Sequence, residues 1–237
     1  MNIAIFTTKT LHHAFFVKEL KKTRHNIDVL IEKKSVFKKF KTKHPIDKKT
    51  DSFEKKNFFN KKDNAFLSNF YNLNEFKSFN SEKFVNFIKK KKYDLVIVFG
   101  TGVLKKKLIS LFKNCIFNLH GGNPEMFRGL DSIFWTIFHN QYNHIETTLH
   151  KLEKKIDTGK LFMKKKIFLK KKMKFYEIRY YNTLNCIILS KLLIKKILKK
   201  KKIKLKNQTE IGRYYTAMPT VLKDYCIYKF EIYTKNL

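Results

Sequence analysis

Cysteine is scarce in this chain, and the few residues stand far apart. Cys115, Cys186 and Cys226 form no C-x-x-C pair, which argues against a zinc knuckle or a redox motif and suits a reducing cytoplasm. Arginine is scarce as well: only Arg24, Arg128, Arg179 and Arg213 occur among 53 basic residues. With 19 acidic residues the formal net charge is +34, which alone is the footprint of a nucleic-acid binder. Proteins that read nucleic acid favour arginine, whose planar fork makes bidentate contacts with base edges and phosphates. Here lysine rises together with Asn, Ile and Phe, all encoded by A/T-rich codons, so genome composition explains the charge more simply. A cationic surface of any origin still attracts anionic substrates at low salt. Long apolar runs are missing too. Leu184 to Leu198 is interrupted by Lys191, Lys195 and Lys196, so no membrane span is expected. Met1 leads directly into NIAIF, without the basic and apolar regions of a signal peptide.

What is present is ample core material. The 237 residues are 43% hydrophobic and 15% aromatic, with 24 Phe and 11 Tyr, enough for one full domain with a short appendage. NIAIF at 2–6 reads as a buried strand, 12–22 as a helix and IDVLI at 27–31 as a second strand, a pattern that suggests a right-handed parallel crossover. From 33 to 80 periodicity dissolves, and an irregular insertion with one short helix is expected. Residues 82–91 read as an amphipathic helix. LVIVF at 95–99 suits a central parallel strand covered on both faces, and Val103–Leu111 resumes helical spacing. CIFNL at 115–119, 145–152 and 160–169 read as strands, 129–138 and 174–199 as helices. The tail carries GRYYTAMP, a turn-rich aromatic segment in which Tyr214 and Tyr215 are expected to pack onto the sheet. Trp135 is expected in the core. The fold class is therefore α/β: a Rossmann-like, mostly parallel sheet with helices on both faces and a short helical C-terminal extension. The expected division is 1–170 for the catalytic domain and 171–237 for the helix and tail.

One constellation carries chemistry. Asn118 and His120 lie two residues apart at the end of an apolar strand, so their side chains share a face. The C-terminal edge of a parallel sheet is where open α/β folds bind ligands. Gly121-Gly122 follows and lets backbone approach a ligand closely. Ile156-Asp157-Thr158-Gly159 sets a carboxylate in a tight turn between two strands. An amide, an imidazole and a carboxylate suit acyl transfer to an amine, which creates a tetrahedral oxyanion and releases a proton. Asn118 can donate to the oxyanion. His120, with a reference pKa near ~6.5, can accept or relay the proton. Asp157 can orient the imidazole and stabilise its cationic form, directly or through water. No metal is required. A metal site built from His139, His144 and His150 is disfavoured, because their spacing fits no H-E-x-x-H helix and they lack carboxylate partners.

NLHGGNPEMFRGLDSIFW followed by TTLHKLEKKIDTGKLF resembles the catalytic core of the folate-dependent formyltransferases. That family includes the methionyl-tRNA, glycinamide ribonucleotide and sugar N-formyltransferases. The resemblance is strong over 94–168 and absent over 33–80. It maps the family's Asn-x-His onto Asn118 and His120, its Arg-Gly onto Arg128 and Gly129, and its catalytic Asp onto Asp157. It implies N10-formyltetrahydrofolate as formyl donor, with the pterin held by the loop Gly100-Thr101-Gly102-Val103-Leu104, by Gly122-Asn123-Pro124 and by Ile156 in the turn before Asp157. Family members commonly carry Pro one position later, where this chain has Glu125.

The resemblance also bears on the acceptor. Methionyl-tRNA formyltransferases carry a C-terminal barrel of about a hundred residues, for which the stretch after Leu169 has no room. The purine enzyme usually has Asp-Gly-Gly where this chain has Asp-Thr-Gly. NLHGG with FRGLDS and the GRYYTAMP tail is most similar to the sugar enzymes, so the expected partner is a small-molecule amine, a nucleotide-linked amino sugar. Arg128 is read, with nearby lysines, as meeting the acceptor's diphosphate or, equally, as anchoring the helix start at Gly129. A tRNA acceptor and a non-catalytic RNA-binding scaffold are the alternatives, a cytoplasmic location is expected, and a homodimer is left open.

Overall fold

The computed structural model describes residues 1–33, 42–112, 114–200 and 203–237. In chain order the elements are β1 (Asn2–Thr7), α1 (Leu11–Lys21), β2 (Asn26–Glu32), α2 (Pro45–Phe58), α3 (Asn64–Tyr71), β3 (Glu75–Phe76), α4 (Glu82–Lys89), β4 (Leu95–Phe99) and α5 (Lys106–Ile109). They continue with β5 (Ile116–His120), β6 (Phe127–Gly129), α6 (Ser132–Phe138), β7 (Glu146–Lys151), β8 (Leu161–Lys166), α7 (Ile178–Leu198), β9 (Arg213–Tyr215) and α8 (Thr220–Lys235). A seven-stranded sheet runs β3-β2-β1-β4-β5-β7-β8. Its first five strands are parallel, and β7 and β8 close it in antiparallel fashion.

Alternation within the apolar strands builds two cores. Ile3, Ile5, Leu95, Ile97 and Phe99 pack on one face with α1 and α7, whose Cys186, Leu189 and Leu193 join the same cluster. Ala4, Phe6, Val96 and Val98 pack on the other face with α4 and Leu108 of α5. A third cluster joins α6 and α8 through Phe134, Ile137, Cys226 and Phe230. The α/β expectation holds, and no helix among the described residues is long and apolar enough to cross a membrane.

Three local expectations change. The stretch 33–80, of which 34–41 lie outside the described residues, carries two helices and a sheet strand rather than one short helix. Its α2 begins at Pro45 and is fixed by a capping box between His44 and Asp47, which satisfies backbone N–H groups at the helix start. The helix expected from 129 starts at Ser132, because Phe127–Gly129 pairs in parallel with Arg213–Tyr215 as a separate ribbon. The aromatic tail leads into a sixteen-residue helix, α8. Ahead of that helix, Tyr215 of β9 stacks on Trp135, with ring centroids 4.4 Å apart.

Candidate active site

Strand β5 supplies the first half of the site. Phe117 and Leu119 enter the α1/α7 core, so Asn118 and His120 share the opposite face. The turn between β7 and β8 supplies the second half. Asp157 adopts a left-handed backbone there, with φ +54°, and its carboxylate is nearly buried at 8% exposure. The two halves meet: His120 Nδ1 lies 3.4 Å from Asp157 Oδ2, and Asn118 Nδ2 donates to Asp157 Oδ1 at 3.2 Å. The backbone N–H of Gly129 also donates to Asp157 Oδ2, at 2.9 Å.

Gly129 is required at its position. Its φ is +93°, and a Cβ there would lie 2.1 Å from the Tyr215 carbonyl oxygen, so any side chain would part the β6–β9 ribbon. Gly122 is constrained by close approach: a Cβ would lie 2.7 Å from Ser132 Cβ and 3.0 Å from His120 Nε2.

The hydrogen bonds assign the His120 tautomer. His120 Nε2 sits 3.1 Å from the Phe127 carbonyl oxygen and 3.2 Å from Ser132 Oγ. A carbonyl only accepts, so Nε2 carries a proton and Nδ1, facing Asp157, is the ring's basic nitrogen. A proton taken up at Nδ1 is therefore held as an ion pair. Burial would push the Asp157 carboxyl up, but it is outweighed by the attraction of His120 and His150 when those rings are protonated, the hydrogen bond with His150, and the Gly129 N–H. These hold the carboxyl well below the usual carboxylate range, so it is an acceptor at neutral pH.

His150 is the site residue that sequence reasoning missed as a partner of this group. It is 1% exposed, and the β5–β7 register sets it directly opposite Asn118. Its Nδ1 faces the Lys151 carbonyl at 2.6 Å and therefore carries the proton. Its Nε2 lies 3.3 Å from Asn118 Nδ2 and 3.4 Å from Asp157 Oδ1. The Asn118 amide is thereby fixed between His150 and Asp157. Only strand pairing brings His150 here; its local sequence carries no signal for it. His139 and His144 go elsewhere, to Tyr215 Oη and to Asn123.

The loop expected to hold the pterin leaves the sheet beside this group, since Phe99 pairs with Leu119. Gly100 takes φ +72°, and Thr101 Oγ1 donates to the Gly102 carbonyl at 3.0 Å. Gly102 N–H donates to Glu32 Oε2 at 2.7 Å, and Phe79 N–H donates to Glu32 Oε1 at 3.0 Å. Asn80 donates to the Val103 carbonyl at 2.8 Å and accepts from Lys105 N–H at 2.7 Å. Val103 is 61% exposed while Leu104 is buried at 5%, so a firmly held loop presents an apolar side chain outward.

The remaining expected residues lie on the turns. The Gly122 carbonyl accepts from Thr148 Oγ1 at 2.7 Å. Asn123 is buried and accepts from Glu125 N–H at 3.1 Å. The Pro124 carbonyl accepts from Gly212 N–H at 3.2 Å. Arg128 donates through Nε to the Gly212 carbonyl at 2.6 Å and through Nη1 to the Ile156 carbonyl at 2.9 Å, so these arms are engaged with backbone.

A family model described as formyl transferase matches residues 1–179. No curated protein matches the chain significantly. Among solved structures, a sugar N-formyltransferase from a Shewanella species is similar with a TM-score of 0.64 at 14% identity, over 97% of this chain and 87% of that one. A 4-N formyltransferase from Francisella tularensis gives 0.63 at 14% identity, over 96% and 87%. The formyltransferase PseJ from Anoxybacillus kamchatkensis, solved with UDP-4,6-dideoxy-4-formamido-L-AltNAc and tetrahydrofolate, gives 0.52 at 14% identity, over 91% and 86%.

Proposed function

The chain belongs to the formyl transferase family, and from that premise we propose that it transfers a formyl group from N10-formyltetrahydrofolate to the amine of a nucleotide-linked amino sugar. The observation that carries this reading is the buried meeting of Asn118, His120 and Asp157, at 3.2 and 3.4 Å, on the C-terminal edge of the parallel strands. The complex in which PseJ was solved supports both substrates. The exposed Val103 on a loop pinned by Glu32 and Asn80 fits a flat, largely apolar pterin.

The donor supplies an activated formyl carbon. Asn118 keeps one N–H on Asp157 and turns the other, which faces His150 at rest, to the oxygen that gains negative charge as the amine adds. His120 accepts the amine's proton at Nδ1 and would return it to the donor's departing nitrogen as the bond from that nitrogen to the formyl carbon breaks, and Asp157 stabilises the imidazolium in between, in a site where both side chains are less than a tenth exposed. Ser132 and the Phe127 carbonyl hold the ring. The three free cysteines suit a reducing cytoplasm as the setting. Incubation with the formyl donor and a panel of nucleotide amino sugars, charged tRNA and glycinamide ribonucleotide tests the proposal. Formylation of a nucleotide amino sugar is expected. Transfer to charged tRNA alone overturns the acceptor, and no transfer to any amine overturns the function.

A further inference from the structure

The Asp157 turn is held by a segment outside the residues that match the family model. That model ends at 179, whereas the backbone of the turn is tied to residues 206–215. Gln208 Nε2 donates both of its protons to the turn, one to the Asp157 carbonyl at 2.8 Å and one to the Gly159 carbonyl at 2.9 Å. Lys206 exchanges two backbone hydrogen bonds with Leu161, at 2.8 and 2.9 Å, where the turn rejoins β8. Thr209 donates through N–H and Oγ1 to Glu125 Oε1 at 2.8 and 2.9 Å. Gly212 N–H and Arg213 N–H then donate to the Pro124 and Met126 carbonyls at 3.2 and 3.0 Å. The segment thus runs from the acid's turn to the turn that follows His120.

Arg128 closes the circuit, with one arm on the Gly212 carbonyl and another on the Ile156 carbonyl. Three carbonyls of the turn, at 156, 157 and 159, are therefore held by two side chains. The turn needs holding, because Asp157 occupies the left-handed region without being glycine, a conformation that persists only when its surroundings over-determine it. The carboxylate's reach to His120 is set by that backbone.

We infer that residues 206–215 form a strap that sets the separation of the two catalytic turns, with Gln208 and Arg128 as positioning residues for Asp157. The inference rests on the proposed formyl transfer for its catalytic readout, and it has a second readout that does not. Displacement of a catalytic group by about 1 Å lowers turnover by up to about a hundredfold, whereas the donor loop 100–104, pinned by Glu32 and Asn80, is left in place.

Two full-length variants and two measurements test it. Gln208→Ala leaves the Asp157 and Gly159 carbonyls to water. Gln208→Glu keeps the bulk but turns an acceptor toward them, so it displaces the turn further. The expected kcat falls about tenfold for Gln208→Ala and about a hundredfold for Gln208→Glu, with the donor KM changing several-fold less than kcat. A space-filling role predicts the opposite order. Hydrogen exchange at the Gly129 amide, which donates to Asp157, is expected to accelerate in both variants while that of Ile97 in β4 does not. A Gly129 exchange rate equal to the parent's in both variants, or acceleration shared equally by Ile97, overturns the strap. If the parent protein transfers no formyl group, the proposed function fails while the exchange result still decides the strap.

Discussion

Replacing Asp157 by Asn separates the charge of the site from its shape. The carboxylate meets Gly129 N–H and His120 Nδ1 on one oxygen and Asn118 Nδ2 and His150 Nε2 on the other. An amide keeps an oxygen for the Gly129 N–H, and its NH2 is accepted once the Asn118 amide flips to present its oxygen and His150 Nε2 gives up its proton. The fold is therefore retained, and what disappears is the negative charge 3.4 Å from His120. At that separation, with an effective dielectric near 20, the attraction to an imidazolium is roughly 5 kcal/mol, or between three and four decades in rate if it is fully developed in the transition state. A loss of about 10³-fold in kcat is expected, with KM for the donor nearly unchanged. The same variant has a pH signature. The Asp157 carboxyl is lowered in the folded state, so its stabilisation is complete above the unfolded value of about 3.9 and is lost as pH falls below it toward the folded value. Urea unfolding from pH 7 to pH 3 should show the parent losing stability relative to Asp157→Asn at the acid end. Turnover by the variant within tenfold of the parent would refute the ion-pair mechanism.

Three further outcomes are expected. Gly129→Ala, which puts a Cβ 2.1 Å from the Tyr215 carbonyl oxygen at φ +93°, should cost about 2–4 kcal/mol in urea unfolding and lower kcat more than tenfold; wild-type unfolding would contradict the geometry. Glu32→Ala leaves the loop's Gly102 N–H without its acceptor and should raise donor KM about tenfold while kcat changes less than about threefold, since binding is weakened uniformly; an unchanged donor KM would remove the loop from the donor site. Arg179→Met strips the fork that holds Glu54, which is fully buried and bonded at 2.7 and 2.8 Å. It should destabilise by about 3–5 kcal/mol, and the double variant with Glu54→Met should recover most of that loss in thermal unfolding; equal loss in both would mean the pair matters only through packing.

Glu54 and Arg179 also show why residues 33–80 looked shapeless. The buried stripe of α2 is Ile46, Thr50, Glu54 and Phe58, a helical spacing in which two of four positions are polar. Glu54 is acceptable there only because Arg179, 125 residues away in sequence, neutralises it. Helix α8 is disguised in the same way: its buried positions are Lys223, Cys226, Phe230 and Thr234, and Lys223 is accommodated by donating to the Thr42 carbonyl at 2.9 Å. A periodicity reading that counts apolar residues passes over stripes whose polar members find distant partners.

Local order determined a good part of this protein by itself. Period-two alternation in NIAIF, LVIVF and IFNLH dictates which side chains face which layer, so the parallel core and the shared face of Asn118 and His120 follow from sequence. Tertiary structure alone decided which groups meet across that edge. His150 reaches Asn118 through the antiparallel register of β5 and β7. Gly129 is pinned by its strand partner Tyr215, 86 positions away, and Gln208 grips the acid's turn from beyond the stretch of strong resemblance. Such contacts arise when distant segments close on a common core, and their energy depends on partners that no local window contains.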